Sequence, residues 1–301
     1  MKTKLLILLL GLLPLSISIA QGFDDVEVKS EKLTDSIYML TGRGGNIGVS
    51  IGEDGVFMID DQYAPLSEKI QAAIAELSDQ PINYLLNTHW HGDHTGGNEN
   101  FNKAGALLMA HENVYERKSK GQNIKAFNRQ IPPAPEEALP EVTFSENLTL
   151  YLNGEKIFIF HVHNAHTDGD AIIHFTQSNI MHLGDTYFNG RYPYVDLSSD
   201  GSIDGLIESA NRVLFLADEE TIIIPGHGKV SNKKELMIYR DMLVTIRDRV
   251  QKAIAEGKSV EEVQAAKLSE EFDEQWGQGF MKPKRFIDIV YTSLTMKKEE
   301  D

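Results

Sequence analysis

Residues 89–94 form a stretch whose side chains could hold divalent metal ions. The stretch has the sequence His-Trp-His-Gly-Asp-His, so four of its six side chains carry an imidazole nitrogen or a carboxylate oxygen. It directly follows a short apolar run that predicts a buried strand. In a tight loop at the end of that strand, His89 and His91 can converge on one ion while Asp93 and His94 turn towards a second. The spacing therefore predicts a metal centre at the end of a strand.

The composition limits what kind of protein could carry such a centre. The chain has 301 residues, of which 41% are hydrophobic and 25% charged, as is typical of a globular protein. It contains no cysteine, which excludes disulfides, thiolate nucleophiles and cysteine-ligated zinc or iron–sulfur clusters, so any metal must be held by histidine and carboxylate. The formal net charge of −16 disfavours nucleic acid as a partner.

The N-terminus has the pattern of a signal peptide. Lys2 and Lys4 precede an apolar run that is interrupted at Pro14 and followed by a small-residue cleavage pattern ending at Ala20. This predicts a signal peptide at residues 1–20 and a periplasmic or secreted protein. The run is too short to span a membrane, so no stable membrane insertion is expected after cleavage.

The elements that must position the metal-binding stretch fall into two blocks. The first contains predicted strands at 26–28, 37–41, 47–51, 56–59, 82–86 and 106–110, with helices at 65–77 and 111–118. The second contains predicted strands at 148–152, 156–162, 171–175, 180–183 and 221–224, with helices at 203–217, 233–256, 260–267 and 283–296. Residues 121–140 carry four prolines and predict an irregular insertion, suited to a lid or pocket wall. Two strand blocks, each followed by helices, predict an α/β protein with two packed sheets and helices outside.

Three later stretches carry further metal-binding side chains: Ala-His-Thr-Asp-Gly-Asp at 165–170, His-Leu-Gly-Asp-Thr at 182–186 and Pro-Gly-His-Gly at 225–228. Together with the His-x-His-x-Asp-His stretch, and in this order, they resemble the motifs of the metallo-β-lactamase superfamily. The resemblance covers about residues 30–230. It implies an αββα sandwich of two mixed β-sheets flanked by helices. It also implies a single metallo-β-lactamase-like domain at residues 21–301, with a helical C-terminal extension from about residue 231.

The same resemblance implies a set of seven metal ligands. One zinc ion would be held by His89, His91 and His166, the other by Asp93, His94 and His227, and Asp185 would bridge both. All seven positions carry a competent ligand. Iron and manganese remain open as alternative metals. Asp93 would also orient the attacking hydroxide and carry a proton, which makes it the expected catalytic residue.

The segment that follows Asp185 carries side chains suited to a substrate pocket: Tyr187, Asn189, Arg191 and Tyr194. Tyrosine and asparagine can donate to a developing oxyanion, and arginine can hold a carboxylate through two hydrogen bonds. An ordered aromatic surface loop is the alternative interpretation of this segment.

Two zinc ions about 3.5 to 4 Å apart would lower the pKa of a bridging water and present hydroxide at neutral pH. The expected protein is therefore a zinc-dependent hydrolase of small-molecule esters, thioesters, lactones or amides. β-Lactams fall within this class of bonds, although no cysteine stands at position 185 and no lysine closely follows it. Two alternatives stay open: a mononuclear iron dioxygenase of the same fold that acts on sulfur compounds, and a metal-binding protein without catalysis.

Several polar residues near these motifs have simpler expected roles. We expect His111 to cap or brace a helix and His161 and His163 to be structural, because none matches a ligand position of the family. Asp168 and Asp170 could either orient ligating imidazoles or form a turn.

Overall fold

A computed structural model describes residues 22–296 of the chain. The predicted signal peptide at residues 1–20 lies outside the described residues. Within residues 22–296, no helix combines the length and the apolar character needed to cross a membrane.

The first sheet contains seven strands, which lie side by side in this order: β1 (Lys29–Lys32), β2 (Ile37–Thr41), β3 (Ile47–Gly52), β4 (Gly55–Ile59), β5 (Ile82–Leu86), β6 (Leu107–His111) and β9 (Val142–Phe144). The pairs from β1 to β4 are antiparallel, and the pairs from β4 to β9 are parallel. The carboxyl ends of β4, β5 and β6 therefore meet at one edge of the sheet.

The strand predicted at residues 26–28 is wrong by a few positions. Pairing with β2 begins only at Lys29, which lies opposite Thr41. Val26 and Val28 instead pack, partly buried, against the core on the outer face of the first sheet. Their apolar pattern reflects this packing and not a strand.

The second sheet contains six strands, in this order: β10 (Asn147–Leu152), β11 (Glu155–His161), β12 (Ala171–Phe175), β13 (Ile180–His182), β14 (Ile222–Ile224) and β15 (Ser231–Asn232). The pair β13–β14 is parallel and the other pairs are antiparallel. The carboxyl ends of β13 and β14 consequently lie together. Both sheets are mixed, as the resemblance to the metallo-β-lactamase superfamily implies.

Nine α-helices occur within residues 22–296, besides short 3₁₀ turns: α1 (Ser67–Ala75), α2 (Gly92–Thr95), α3 (Asn98–Lys103), α4 (Glu112–Lys120), α5 (Ile203–Leu216), α6 (Lys233–Ala255), α7 (Val260–Ala265), α8 (Glu270–Trp276) and α9 (Pro283–Thr295). The long helices confirm the sequence prediction to within a few residues. The short helices α2, α3 and α8, and strands β9 and β15, were not predicted, because elements of two to seven residues carry little periodicity.

Three apolar clusters give the order of the layers. Phe57 and Leu86 of the first sheet meet Ile159 and Ile173 of the second between the two sheets. The outer face of the first sheet packs against α1 and α3, and the outer face of the second packs against α5, α6 and α9. The order helix, sheet, sheet, helix confirms the predicted αββα sandwich.

The insertion at residues 121–140 is more ordered than predicted. It begins with a two-stranded hairpin of β7 (Gln122–Ile124) and β8 (Arg129–Ile131). Arg285 of α9 anchors this hairpin, since its guanidinium donates to the Ala126 carbonyl at 2.6 Å and lies 4.4 Å from the Phe127 ring centroid. We refer to residues 121–140 as the Pro-rich hairpin.

Candidate metal centre

The seven predicted ligands come from loops at the strand ends. His89 and His91 follow β5. Asp93 and His94 lie in α2, which begins directly after His91. His166 lies between β11 and β12, whereas Asp185 and His227 follow the adjacent parallel strands β13 and β14. The structure brings all seven together in two neighbouring groups.

The first group, which we call the inner group, consists of His89, His91, His166 and Asp185. All four residues are buried, and one ligand atom of each lies within 4.8 Å of the others. His91 Nδ1 is 2.8 Å from His166 Nε2. Asp185 Oδ2 is 3.6 Å from His166 Nε2 and 3.9 Å from His89 Nε2. Three imidazole nitrogens and one carboxylate oxygen thus face a common point.

The second group, which we call the outer group, consists of Asp93, His94 and His227. The Nε2 atoms of the two histidines are 3.4 Å apart, and Asp93 Oδ2 lies 3.3 Å from that of His227. The remaining oxygen of Asp185, Oδ1, lies 3.1 Å from His94 Nε2 and 3.3 Å from His227 Nε2. One carboxylate therefore faces the inner group with one oxygen and the outer group with the other.

Buried polar atoms without hydrogen-bond partners indicate whether this arrangement fits metal ions. Within residues 22–296, His89 Nε2 and Asp185 Oδ1 are buried and have no hydrogen-bond partner. Buried polar atoms are normally paired, and a cation between these ligands would pair them. Imidazole and carboxylate donors suit zinc, iron or manganese. The residues fit a pair of divalent cations.

Two glycines make room for the ligands. A Cβ atom on Gly45 would lie 2.0 Å from the His94 ring, and one on Gly226 would lie 2.1 Å from Asp185 Oδ1. Both distances are far below any van der Waals contact. Only glycine at these positions leaves room for the His94 ring and the Asp185 carboxylate.

Asp196 and Tyr194 orient the rings of the inner group. His91 Nε2 donates to Asp196 Oδ2 at 3.0 Å, and His166 Nδ1 donates to the Tyr194 carbonyl at 2.7 Å. Asp196 is itself held by the Tyr194 hydroxyl at 3.2 Å and by the Ser199 hydroxyl at 2.7 Å. These bonds leave His91 Nδ1 and His166 Nε2 free to face a metal.

Asp60 and Thr88 connect the two groups from behind. Asp60 Oδ2 accepts from His94 Nδ1 at 2.7 Å and from the Thr88 hydroxyl at 2.7 Å. The Thr88 oxygen in turn accepts from His89 Nδ1 at 3.0 Å. One buried carboxylate therefore fixes a ring of each group, so that both Nε2 atoms point at the centre.

Sequence reasoning missed both Asp60 and Asp196. Asp60 directly follows β4 and is fully buried. Its position at the end of a predicted strand is the sequence signal that could have identified it. Asp196 lies 105 residues from His91, and no local pattern marks it.

Without bound metal, the two groups differ in the pKa values of their histidines. Burial lowers the pKa of His89 and brings that of His166 to about 4, so both rings are neutral. Burial also opposes protonation of His94 and His227, but nearby carboxylates, above all Asp185, outweigh it and raise both pKa values, that of His227 to about 9. At neutral pH the outer group thus holds protons that a metal must displace.

A cavity of about 880 Å³ opens onto the outer group. Asp93, Asp185 and His227 lie in its wall together with Trp90, which donates to Ser199 Oγ at 3.1 Å. The rest of the wall includes His91 of the inner group and several charged side chains. Its apolar part is formed by Ile124, Phe127 and Ile131 of the Pro-rich hairpin and by Phe188, Phe280 and Met281. The Pro-rich hairpin thus forms a wall of this cavity, one of the two roles that the sequence suggested.

Two of the four predicted substrate residues line the cavity, namely Arg191 and Tyr194. The other two do not, and this corrects the sequence interpretation. Tyr187 is fully buried, with its hydroxyl 2.8 Å from Ser231 Oγ, and the Asn189 amide donates to the Lys229 carbonyl at 3.1 Å. The strand-end turn directs these two side chains away from the opening.

Other polar residues have structural roles. His111 caps α4 by accepting from the Asn113 N–H at 3.2 Å, as predicted. Asp170 accepts from the main-chain N–H of His166 at 2.6 Å, and Asp168 pairs with Arg117 at 2.6 Å. Asp170 stabilises the turn and Asp168 links it to α4, and neither carboxylate contacts a ligand ring. His161 and His163 belong to neither metal group.

Two characterised proteins are similar in sequence. The chain is 25% identical over 205 residues to a hydroxyacylglutathione hydrolase of Polaromonas sp. (strain JS666 / ATCC BAA-500), covering 66% of this chain and 67% of the relative. It is 23% identical over 178 residues to the 2,4-dinitroanisole O-demethylase subunit alpha of Nocardioides sp. (strain JS1661), covering 58% of this chain. The latter match spans half the length of the demethylase subunit.

Several solved structures share the fold. A metallo-beta-lactamase from Pontibacter korlensis superimposes with a TM-score of 0.61 at 17% identity, covering 72% of this chain and 99% of the other. The DIM-1 metallo-beta-lactamase gives a TM-score of 0.59 at 21% identity, over 73% of this chain and 99% of the other. A double mutant of the sec-alkyl sulfatase PisA1 gives 0.68 at 16% identity, over 92% of this chain and 51% of that one.

The family model of the metallo-beta-lactamase superfamily matches residues 40–227, which include all seven predicted ligands. This range covers more than half of the chain. Together with the sandwich fold and the paired groups of histidine and aspartate, the match shows that the chain belongs to the metallo-beta-lactamase superfamily.

Proposed function

We propose that the protein is a hydrolase that holds two zinc ions and cleaves small esters, thioesters, lactones or amides. The observation that carries this proposal is the shared position of Asp185, whose two oxygens face two ligand groups at the wall of an 880 Å³ cavity. A cavity of this size suits a small molecule. The similarity to a protein named hydroxyacylglutathione hydrolase supports a hydrolytic reaction.

In this proposal each group binds one ion. His89, His91 and His166 hold the inner ion, and Asp93, His94 and His227 hold the outer ion. Asp185 would be shared by the two ions, and its negative charge would offset the repulsion between two dications. When bound, the ion pair supplies a Lewis acid for the substrate carbonyl and a water of lowered pKa.

The chain's own residues then position and protect the reaction. Asp93 is the one carboxylate of the outer group, and its side chain is 25% exposed towards the cavity. Its carboxylate takes the proton that the attacking water loses and returns it to the leaving heteroatom. Phe188 stacks on His227 with ring centroids 5.2 Å apart, which keeps that side of the centre apolar.

We further propose that the protein acts outside the cytoplasm on a small-molecule substrate and does not bind nucleic acid. The signal pattern at residues 1–20 and the net charge of −16 support this location and this exclusion. N-terminal sequencing of exported protein tests the location, and mature chains that still begin at Met1 in the cytoplasm would contradict it.

The test of the reaction is a screen of purified protein of measured metal content against lactones, thioesters, aryl esters and β-lactams. We expect hydrolysis of at least one class, loss of activity after chelation and recovery with zinc. Retained activity after complete removal of metal would overturn the proposal. One iron per chain with oxygen consumption on a sulfur compound would favour the dioxygenase alternative.

A further inference from the structure

The ligands of the inner group come from both sheets, so the group depends on how the two sheets' loops meet. His89 and His91 follow β5 of the first sheet, whereas His166 and Asp185 lie in loops of the second. The rings of His91 and His166 approach to 2.8 Å across this boundary. Metal ligands must be held within about 0.5 Å of their binding positions, so contacts between the two sheets' loops have to fix this distance.

Arg117 of α4 makes such a contact. Helix α4 directly follows β6 of the first sheet, and the Arg117 guanidinium donates to the two oxygens of Asp168 at 2.6 and 2.8 Å. Asp168 lies two residues after His166, in the turn between β11 and β12 of the second sheet. A guanidinium that bonds both oxygens of one carboxylate fixes the orientation of its partner as well as the distance. Arg117 therefore ties the turn that carries His166 to the first sheet.

The same guanidinium also holds the loop that carries Asp196. Its Nη2 atom donates to Asp200 Oδ2 at 2.8 Å. The Asp196 N–H donates to the His166 carbonyl at 2.9 Å, so this loop and the His166 turn are bonded to each other. Because Asp196 orients the His91 ring, Arg117 bonds both segments that direct the two neighbouring rings of the inner group.

Two neighbours strengthen the Arg117 contact. Asn113 lies one turn earlier on the same face of α4 and donates to the Asp168 carbonyl at 2.8 Å. Gln122 of β7 accepts from Arg117 Nη1 at 3.0 Å. The side chains of Arg117 and Asp168 are only 13% and 20% exposed. Because a partly buried ion pair is screened by salt much less than one on the open surface, this pair can hold the turn firmly.

The outer group is held across the same boundary by a different residue, Asn46. Asn46 lies between β2 and β3 of the first sheet, and its side-chain amide donates to the carbonyls of Pro225 and Gly228 at 2.8 and 2.9 Å. These two residues flank His227, which follows β14 of the second sheet. The loops of the two groups are thus fixed by separate contacts, which allows each contact to be changed by itself.

We infer that Arg117 is a positioning residue for the inner metal ion, because it holds the His166 turn and the Asp196 loop against α4. Through these two segments it keeps the rings of His166 and His91 directed at one point. This inference rests on the metal binding in the proposed function and not on the reaction. Arg117 acts through Asp168 and Asp200, so its loss should disturb the ligand positions without removing a ligand.

Zinc titration of the full-length variant Arg117→Gln tests the inference. Glutamine lacks both the charge and the pair of bonds to Asp168. We expect inner-site zinc affinity to fall by at least about fivefold and outer-site affinity to change by less than about twofold. Competition with a chelator of known affinity resolves the two sites. Arg117→Lys keeps the charge but cannot form the paired bonds, so it should recover only part of the loss.

Two further variants serve as controls. Arg247→Gln removes a guanidinium of α6 that pairs with Asp204 and Asp248, and it should change neither site. Asn46→Ala should show the reverse pattern, with the larger loss at the outer site. The visible absorption of the first bound equivalent of Co²⁺ reports on the geometry of the inner ligands. It should change in Arg117→Gln and match the wild type in Arg247→Gln.

A double variant tests whether Arg117 and Asp168 act as a unit. Combining Arg117→Gln with Asp168→Asn should weaken inner-site zinc binding by no more than about twofold beyond Arg117→Gln alone. Additive losses, equal losses at both sites in Arg117→Gln, or an unchanged inner-site affinity would overturn the inference. If no ester, thioester, lactone or amide is hydrolysed but the selective loss is found, the hydrolase proposal fails and the positioning role of Arg117 stands.

Discussion

The inner and outer metal groups use the same kinds of side chains but differ in their surroundings. The inner group is wholly buried, and its His91 and His166 rings are fixed by Asp196 and Tyr194. In the outer group, Asp93 and His227 are 25% and 17% exposed and line the cavity. His91 of the inner group also lines the cavity, but it is only 7% exposed. In the proposed dinuclear centre, the outer ion would therefore be the one that substrate reaches more readily.

The two groups also differ in the protons they carry. The neutral rings of His89 and His166 are prepared for a metal, whereas the raised pKa values of His94 and His227 mean that the outer group must first lose protons. We therefore expect the inner site to bind its ion more tightly at neutral pH. Each of the following experiments tests this distinction.

The largest effect is expected for Asp185→Asn, which removes the charge that the two groups share. The variant should lose at least one metal ion and at least about 10²-fold in turnover of whichever ester, lactone or amide proves to be a substrate. Metal analysis and steady-state kinetics measure both effects. His111→Gln serves as the control and should keep both ions, because His111 caps α4 and contacts neither group. Two retained zinc ions with near-normal turnover would show that Asp185 is not the bridge.

The supporting carboxylates allow the two groups to be weakened separately. Asp196→Asn should lower zinc affinity at the inner group by about 10- to 100-fold and leave the outer group nearly unchanged. Asp60→Asn should act mainly on the outer group, because Asp60 accepts directly from His94. Competition with a chelator of known affinity resolves the two sites. Equal losses at both sites in both variants would contradict the division into two groups.

Acidification should release the outer ion first. Below its pKa of about 9 the His227 ring is protonated in the metal-free protein, so outer-site affinity falls as the pH drops. Burial keeps the rings of His89 and His166 neutral, the pKa of His166 being about 4, so inner-site affinity should fall less than outer-site affinity between about pH 8 and pH 5. Zinc titration by calorimetry at several pH values measures this. Loss of the inner ion before the outer ion would reverse the assignment.

The smallest effect is expected for Ser199→Ala. This change removes the hydrogen bond to Asp196, at 2.7 Å, and the one that Ser199 accepts from Trp90, at 3.1 Å, while the His91 contact with Asp196 remains. Only the first of the two touches the residue that orients an inner ligand. A single hydrogen bond of about 1 kcal/mol corresponds to a loss of about fivefold in inner-site zinc affinity. If Ser199→Ala lowered inner-site zinc affinity as much as Asp196→Asn, this minor role of Ser199 in orienting the His91 ring would be contradicted.

The sequence pattern predicted two packed sheets and the metal-binding loop because those signals are local, whereas the full set of seven ligands followed from the resemblance to the metallo-β-lactamase superfamily. Apolar runs mark the strands, and the spacing of His89, His91 and His94 within one loop marks the metal stretch. Partners that are fixed by tertiary structure could not be predicted in this way. Asp196 reaches His91 across 105 residues, and Asp60 reaches His94 across 34.

Two further features of the structure could not be predicted from the sequence pattern. The strands β7 and β8 have three residues each, too few to show a period, so the insertion at residues 121–140 was predicted as irregular. Tyr187 follows the strand end like a pocket residue, yet its ring packs 4.9 Å from that of Tyr239 in the core. The direction of a side chain in such a turn is set by packing across the fold.

Zinc titration of the wild-type protein at neutral pH tests the central claim most directly. After chelation and dialysis, the chain should bind two equivalents of zinc in two resolved steps, the tighter step belonging to the inner group. His227→Ala should abolish only the weaker step, since it removes a ligand of the outer group. A single equivalent in the wild type, or one iron per chain in protein as purified, would contradict a dinuclear zinc centre.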